Sequence, residues 1–155
     1  MAHHRRSLAG ALGRGVIAGL AGTAVMTAFQ KAVEMPLTQR ADSYAPADFV
    51  ERVTPIRAGG GDATRNLNYA THFGLGTLWG GAYGMASFAG LRGARAVAAV
   101  FATVYSGDLV LNTALGLYRP WDWSRQDWAI DIGDKLVQAV ATGVIYEVIL
   151  DRPGG

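Results

Sequence analysis

Long apolar stretches without charge dominate the hydrophobic pattern of this chain. Residues 15–30 carry no charged side chain, residues 66–91 carry none apart from His72, and residues 96–118 carry only Asp108. A helix of about 20 apolar residues spans the roughly 30 Å hydrocarbon core of a bilayer. Each stretch therefore predicts a transmembrane helix, of which the first is the shortest.

A fourth apolar stretch, residues 128–150, is interrupted by charge. Its charged positions are Asp131, Asp134, Lys135 and Glu147. Such a helix crosses a bilayer only when its polar side faces protein or water. The pattern predicts an all-α integral membrane protein, a four-transmembrane-helix bundle that forms one membrane domain over residues 1–155. The predicted helices cover residues 12–35, 66–91, 95–118 and 128–150.

The connections between these helices are typical of loops at a membrane surface. Residues 36–65 form the predicted extramembrane loop, in which Pro36 ends the first helix and Pro46 opens a short surface helix through residue 53. The loop before the last helix is rich in tryptophan. Such residues favour the membrane interface. The predicted aromatic belt consists of Trp121, Trp123 and Trp128.

Lysine and arginine in short loops set the orientation of a membrane protein, because such loops are retained in the cytoplasm. Basic residues of the N-terminal segment, the second turn and the tail outnumber those of the tryptophan-rich loop. We therefore expect both termini in the cytoplasm and a multi-pass protein of a bacterial inner membrane. The two groups compared are Arg5, Arg6, Arg14, Arg92, Arg95 and Arg152 against Arg119 and Arg125.

Two alternatives to this topology stay open. Arg5 and Arg6 precede an apolar stretch, as in a twin-arginine or Sec signal. A soluble helical bundle with glycine-rich core helices is the other alternative. The few charges between residues 66 and 118 speak against it, because a soluble helix needs a polar face toward water.

Glycines recur every four residues on the first two predicted helices. Small residues let helix backbones approach closely in a membrane, where lipid tails are as apolar as leucine. This spacing predicts helix contacts, within one chain in preference to between chains. The glycines concerned are Gly15, Gly19, Gly76, Gly80 and Gly84.

Each predicted helix also carries one polar stripe when its residues are placed 100° apart. Four stripes can share one interior, and with the N-terminus inside the cell they fall in the outer half of the membrane. We therefore expect a polar vestibule open to the outside, above an inner half that is small and apolar. Asp108 forms its floor near Gln138, and Lys135 pairs with Asp108 unless Asp131 or Asp134 takes it. The vestibule residues are Gln30, Glu34, His72, Asp108, Asn112, Asp131, Asp134, Lys135 and Gln138.

Composition excludes several functions. There is no cysteine, so disulfides, thiol catalysis and cysteine-bound metals are excluded. The net charge of +2 comes without a long basic run, which disfavours nucleic acid binding. His72 is the one histidine in a predicted span, so no metal or other cofactor is expected. None of the common hydrolase or phosphate-loop motifs occurs, and no residue is assigned a catalytic role.

Three functional interpretations remain. An ionisable residue inside a membrane is by default a functional candidate, and a protonatable Asp108 below a wet vestibule suits the binding or passage of protons or small ions. Alternatively, the polar residues lock a structural subunit that packs against a larger membrane complex through its glycine ridges, whereas a homo-oligomer would favour the first interpretation. A lipid-headgroup-modifying enzyme, with Asp131 and Asp134 as acid and base, is the third. Membrane lipids are partners in all three.

Several short sequences resemble the YagU-like family of small bacterial inner-membrane proteins. They begin with His72-Phe-Gly and Gly80-Gly-Ala-Tyr-Gly, continue with Leu115-Gly-Leu-Tyr-Arg-Pro, and close with Gly143-Val-Ile-Tyr-Glu. The resemblance covers residues 66–148, with a weaker match to the opening helix. It implies a small membrane protein linked to acid tolerance. The family's last helix carries a histidine, whereas this chain has Lys135 in that region.

Overall fold

The computed structural model describes residues 7–151, and every regular element in that range is helical, which confirms the predicted all-α class. The α-helices are α1 (Leu8–Phe29), α2 (Met35–Thr38), α3 (Ala45–Val53), α4 (Gly61–Phe88), α5 (Gly93–Ala114) and α6 (Arg125–Val144). The other helical elements are two π-helical segments, Gln30–Glu34 and Ile145–Leu150, and a 3₁₀ turn, Pro120–Asp122. The predictions that rest on Arg5, Arg6 and Arg152 lie outside the described residues.

The first helix does not end at Pro36, and this prediction was wrong. α1 continues through the π-helical segment Gln30–Glu34 into α2, which contains Pro36. Proline lacks an N–H and its ring collides with the carbonyl four residues earlier in an α-helix. Here the Met35 N–H bonds back to the Gln30 carbonyl, so the turn before the proline is one residue wider and accommodates the ring.

The helix boundaries around the long loop also differ from the prediction. Residues 36–65 are not one loop, because they contain α2, α3 and the first turn of α4, which begins at Gly61. The short helix predicted from Pro46 to residue 53 is present as α3. α5 ends at Ala114, earlier than predicted, because the chain turns at Gly116, whose φ of 75° favours glycine.

α1 and α4 pack backbone to backbone through the predicted glycines. A Cβ atom on Gly80 would overlap the carbonyl oxygen of Gly15 and lie 2.7 Å from the amide nitrogen of Gly19. A Cβ on Gly84 would collide with the Ala11 carbonyl in the same way. All of these contacts lie within one chain. The close approach therefore exists only because these positions have no side chain.

α6 and α5 complete the bundle around this pair. Gly22 on α1 makes room for Thr142 on α6, and Gly143 lies against the ring of Tyr83 on α4. The buried core is aromatic and small, and includes Ala18, Trp79, Tyr83, Ala96, Val100, Tyr105, Ala139 and Tyr146. This core ties all four long helices together below the polar site.

Two helical stretches are long and apolar enough to cross a membrane by length and composition. They are residues Leu8–Thr38 and Gly93–Ala114, with mean hydropathies of 1.5 and 1.4 in their most apolar windows. The chain is thus helical with two apolar helices compatible with membrane association.

The end of the bundle at which α1 begins, here named the closed end, carries buried charge. Asp151 pairs with Arg92 at 2.7 Å and with Arg14 at 3.4 Å. Glu147 accepts hydrogen bonds from the Tyr83 hydroxyl and from the Gly93 N–H, both at 2.8 Å. The expectation of an almost purely small and apolar half was therefore wrong, because the second π-helical segment turns Glu147 and Asp151 inward.

A capping box starts α6. The Ser124 hydroxyl and backbone N–H donate to the Asp127 carboxylate at 2.7 and 2.8 Å, and these bonds hold the pKa of Asp127 below its usual value. We expect Ser124→Ala to lower the free energy of unfolding by about 1 kcal/mol at neutral pH.

The contribution of this box has a defined pH dependence. A carboxylate with a depressed folded pKa stabilises above its unfolded pKa of about 3.9, and the stabilisation disappears as pH falls through the folded pKa. The Ser124 hydroxyl also accepts from the Asp127 N–H at 3.1 Å, and this bond does not depend on the charge of Asp127. Unfolding in detergent between pH 7 and pH 2.5 should therefore show the difference between the native and Ser124→Ala proteins becoming smaller at acid pH without disappearing. Ser106→Ala, at an exposed position of α5, serves as the control. A difference independent of pH would contradict the role assigned to Asp127.

Candidate functional site

One cavity of about 810 Å³ lies between the four long helices. It is open at the end opposite the closed end, under the loops that precede α4 and α6. All nine residues predicted for the vestibule line it: Gln30, Glu34, His72, Asp108, Asn112, Asp131, Asp134, Lys135 and Gln138. The structure thus brings together predicted side chains from the first π-helical segment, α4, α5 and α6.

Lys135 is the central cation of the cavity. Its ammonium nitrogen is 3.1 Å from Oδ2 of Asp108 on α5, and it also contacts Oδ1 of Asp131 one turn earlier on α6. Asn112 donates to the other oxygen of Asp108 at 2.9 Å. Lys135 therefore joins two carboxylates from different helices. The sequence predicted that Lys135 pairs with Asp108 unless another acid takes it, whereas in the structure Lys135 contacts both Asp108 and Asp131.

Two aromatic rings complete the surroundings of Lys135. Its nitrogen is 5.2 Å from the centre of the Tyr105 ring and 5.4 Å from that of Tyr118. Both distances fall within the range of cation–π attraction. The site thus holds a positive charge with carboxylates on one side and π-faces on the other.

A second charged group lies beside the first, where the widened turn of the first π-helical segment places both Gln30 and Glu34 toward the cavity. Gln30 donates to Oδ2 of Asp134 at 2.7 Å, and Thr38 donates to Oε1 of Glu34 at 2.7 Å. The Arg40 guanidinium lies between the two acids, 3.7 Å from Glu34 and 3.9 Å from Asp134. Glu34 and Asp134 are 6% and 5% exposed, so both carboxylates are held almost out of solvent.

The floor of the cavity is Gln138, and the prediction that Asp108 forms it was wrong. Gln138 is 2% exposed and donates to the Thr23 hydroxyl at 2.8 Å. Asp108 lies level with Lys135, which is nearly one turn before Gln138 on α6. The Asp108 side chain keeps 26% of its surface exposed.

His72 lies on the α4 wall of the cavity. Its Nε2 atom is 3.1 Å from the Thr27 hydroxyl, which also donates to the Thr23 carbonyl. The Thr27 hydroxyl thus links the His72 ring to the backbone of α1. Within residues 7–151, no group of three histidine or acidic side chains is placed to hold a metal ion.

The predicted aromatic belt divides into two parts. Trp121 is 69% exposed on the 3₁₀ turn, as an interfacial residue would be. Trp123 and Trp128 pack edge to face with ring centres 4.9 Å apart, and Trp123 also touches Tyr118. Trp123 lines the cavity, and Trp128 packs against it.

Arg40 is the functional residue that the sequence did not predict. It lies in the region assigned to an extramembrane loop, and it reaches the cavity because Gln39 adopts a left-handed conformation with φ of 57°. That one residue reverses the chain after α2. Glutamine rarely adopts this conformation, so no sequence signal marks the turn.

Acidic groups outnumber basic groups around the cavity. The carboxylates are Glu34, Asp42, Asp108, Asp127, Asp131 and Asp134, and the cations are Lys31, Arg40, Arg65 and Lys135. The excess of negative charge makes the interior more favourable to cations than to anions.

No protein-family model, curated protein or solved structure matches the chain. The resemblance to the YagU-like family therefore stays a prediction from the sequence.

Proposed function

We propose that the chain is a four-span protein of a bacterial inner membrane that binds small cations or protons in the cavity and passes them toward Gln138. The observation that carries this proposal is Lys135, which is held between Asp108 on α5 and Asp131 on α6 inside a cavity with excess carboxylate. A cation that enters can replace the ammonium group on one carboxylate, since Lys135 has a second carboxylate to keep. Such an exchange needs no large movement of the helices.

The distribution of exposed side chains supports a membrane environment. After Gln126, the charged residues of α6 line the cavity. The large hydrophobic residues exposed on α6 and its π-helical continuation include a series that recurs every four residues: Ile132, Leu136, Val140, Val144 and Val148. A soluble bundle has the opposite arrangement. In α5, only 11% of the most apolar window is buried, whereas the core helix of a soluble protein would be mostly buried. These faces suit lipid.

The same arrangement supports spans formed by α4 and by α6 with its π-helical continuation, which fail a simple test of length and hydropathy. Most of their charged side chains line the cavity or lie at the closed end, so within the span lipid would meet mainly their apolar sides. Four spans place both termini on one side, and the basic residues near the closed end, Arg14 and Arg92, favour the cytoplasm for that side. The cavity then opens outward.

The structural-subunit alternative loses its main contact surface. Gly15, Gly19, Gly76, Gly80 and Gly84 already face other helices of the same chain. A partner would have to use other surfaces. The lipid-modifying alternative needs two free carboxylates, but Asp131 is paired with Lys135, and Asp134 accepts from Gln30.

Flux in proteoliposomes tests the proposal. We expect proton or monovalent cation flux through the native protein, and loss of at least about 90% of it in Asp108→Asn. The substitution keeps size and can preserve the bond with Asn112, while it removes the charge that competes for Lys135. Asp62→Asn, on an exposed carboxylate in the first turn of α4, is the control. Equal flux through the native and Asp108→Asn proteins would remove Asp108 from the pathway.

A further inference from the structure

The cavity has an opening on its side as well as at its end. α4 and α5 touch where the rings of Trp79 and Phe101 approach to 6.4 Å between centres. Toward the closed end from this pair the helices pack through small core residues. Away from it, Leu75 and Leu78 on α4 and Val104 and Leu111 on α5 all line the cavity. The two helices therefore separate on the side of Trp79 that faces the open end of the cavity, and they leave a gap between them.

The rim of this gap is apolar and exposed. Leu78 is 62% exposed and Leu111 is 48% exposed, although both also line the cavity. A residue that is on the outer surface and on the cavity wall lies at an edge between the two. Trp79 and Phe101 lie roughly 13 Å from the closed ends of their helices at 1.5 Å per residue, so in a four-span protein the gap faces hydrocarbon.

The polar end of the cavity contains buried acceptors without a donor. Oε2 of Glu34 and Oδ1 of Asp134 are buried and receive no hydrogen bond from any described residue. Both side chains are more than nine-tenths buried. The Arg40 guanidinium lies 3.7 Å from the other oxygen of Glu34, Oε1, and 3.9 Å from the other oxygen of Asp134, Oδ2, and both distances exceed that of a hydrogen bond. Buried carboxylate oxygens without donors are costly. They fit a ligand that carries N–H donors and a positive charge.

We infer that the natural ligand is an amphiphile with a primary ammonium head and an alkyl tail, and that it reaches the cavity from the bilayer between α4 and α5. The head donates to Glu34 and Asp134, while the tail lies along Leu75, Leu78 and Leu111 at the gap. This inference rests on the proposed function, because it names the class of cation that the cavity takes. A free alkylamine and the ethanolamine head of a phospholipid share this chemistry.

A ligand series tests both parts of this inference on the native protein. Calorimetric titration in phosphatidylcholine nanodiscs, corrected with empty nanodiscs, compares octylamine with octyltrimethylammonium, octanoate and ethylamine. Octylamine is charged at pH 7, as lysine is. We expect saturable binding of one octylamine, at least about tenfold weaker binding of octyltrimethylammonium, which has no N–H, and no binding of octanoate. Ethylamine should bind far more weakly, since each buried methylene is worth roughly fourfold in affinity.

Variants locate the head and the tail. Glu34→Gln should weaken octylamine at least about tenfold. Leu78→Trp, which narrows the gap, should weaken octylamine and leave ethylamine unchanged. The matched control is Val110→Trp, because Val110 is 68% exposed on α5 and does not line the cavity. Equal octylamine binding by Leu78→Trp and Val110→Trp, or octyltrimethylammonium binding as tight as octylamine, would overturn the inference.

The lipid composition distinguishes the two sources of the ammonium head. Octylamine affinity that falls in nanodiscs containing phosphatidylethanolamine supports the lipid head as occupant, and unchanged affinity supports a free amine. Flux measured on the same preparation separates the inference from the proposed function. Flux without selective octylamine binding overturns the inference alone, whereas octylamine binding without flux overturns passage of cations and leaves the binding site in place.

Discussion

Lys135→Met is expected to lower the free energy of unfolding by roughly 3 kcal/mol, since removal of one partner leaves buried charge unpaired. Methionine keeps the length of the lysine stem. What disappears is the ammonium group that joins Asp108 and Asp131. Two carboxylates then face each other across α5 and α6 without a cation. Unfolding by a denaturing detergent, followed by circular dichroism, measures the change.

A rescue variant separates charge from packing. Lys135→Met combined with Asp108→Asn and Asp131→Asn removes all three charges and keeps the shapes. It should regain most of the lost stability, because a neutral cluster carries no unpaired charge. A triple variant as unstable as Lys135→Met alone would contradict the assignment of the lost stability to unpaired charge.

Gly80→Ala is expected to be the most disruptive single-methyl addition in the chain. The added Cβ would meet the backbone of both Gly15 and Gly19 on α1, and backbone atoms cannot rotate away as a side chain can. Overpacking of this kind costs about 1–3 kcal/mol or more. Separation of α1 from α4 would also disturb Gln30 and His72 across the cavity.

The neighbouring residue provides a matched control. Gly81 is in the same helix, but a Cβ there would meet nothing within 4 Å. Gly81→Ala should be neutral or slightly stabilising, because alanine favours the helix over glycine by up to ~1 kcal/mol. Thermal unfolding of the two variants in the same detergent decides the point, and similar melting temperatures would contradict the tight α1–α4 contact.

Much of the site was predictable from helical periodicity. A polar residue in an apolar helix must turn from lipid, so the stripe of each helix points to the shared interior. Asp108, Lys135 and Gln138 share one cavity, as their positions on the stripes predict. Their relative depth does not follow from periodicity, because depth depends on how far each helix slides along its neighbours. Gln138 and Asp108 were interchanged for this reason.

Local backbone geometry was the part that sequence could not supply. The wide turn before Pro36 allows the first helix to continue, and the left-handed conformation of Gln39 reverses the chain so that Arg40 reaches the cavity. Both depend on tertiary packing, since neither residue type favours these conformations by itself. The charged closed end was missed likewise, because Glu147 and Asp151 turn inward only through the second π-helical segment.

Single-cysteine labelling tests the four-span, outward-open topology most directly. The chain has no cysteine, so each introduced thiol is unique. Ala58→Cys in the loop before α4 and Trp121→Cys before α6 should react with a membrane-impermeant maleimide on intact bacterial spheroplasts. Leu91→Cys, between α4 and α5, should react only after permeabilisation. Labelling of all three at equal rates in intact spheroplasts, or recovery of the protein in the soluble fraction, would contradict this topology.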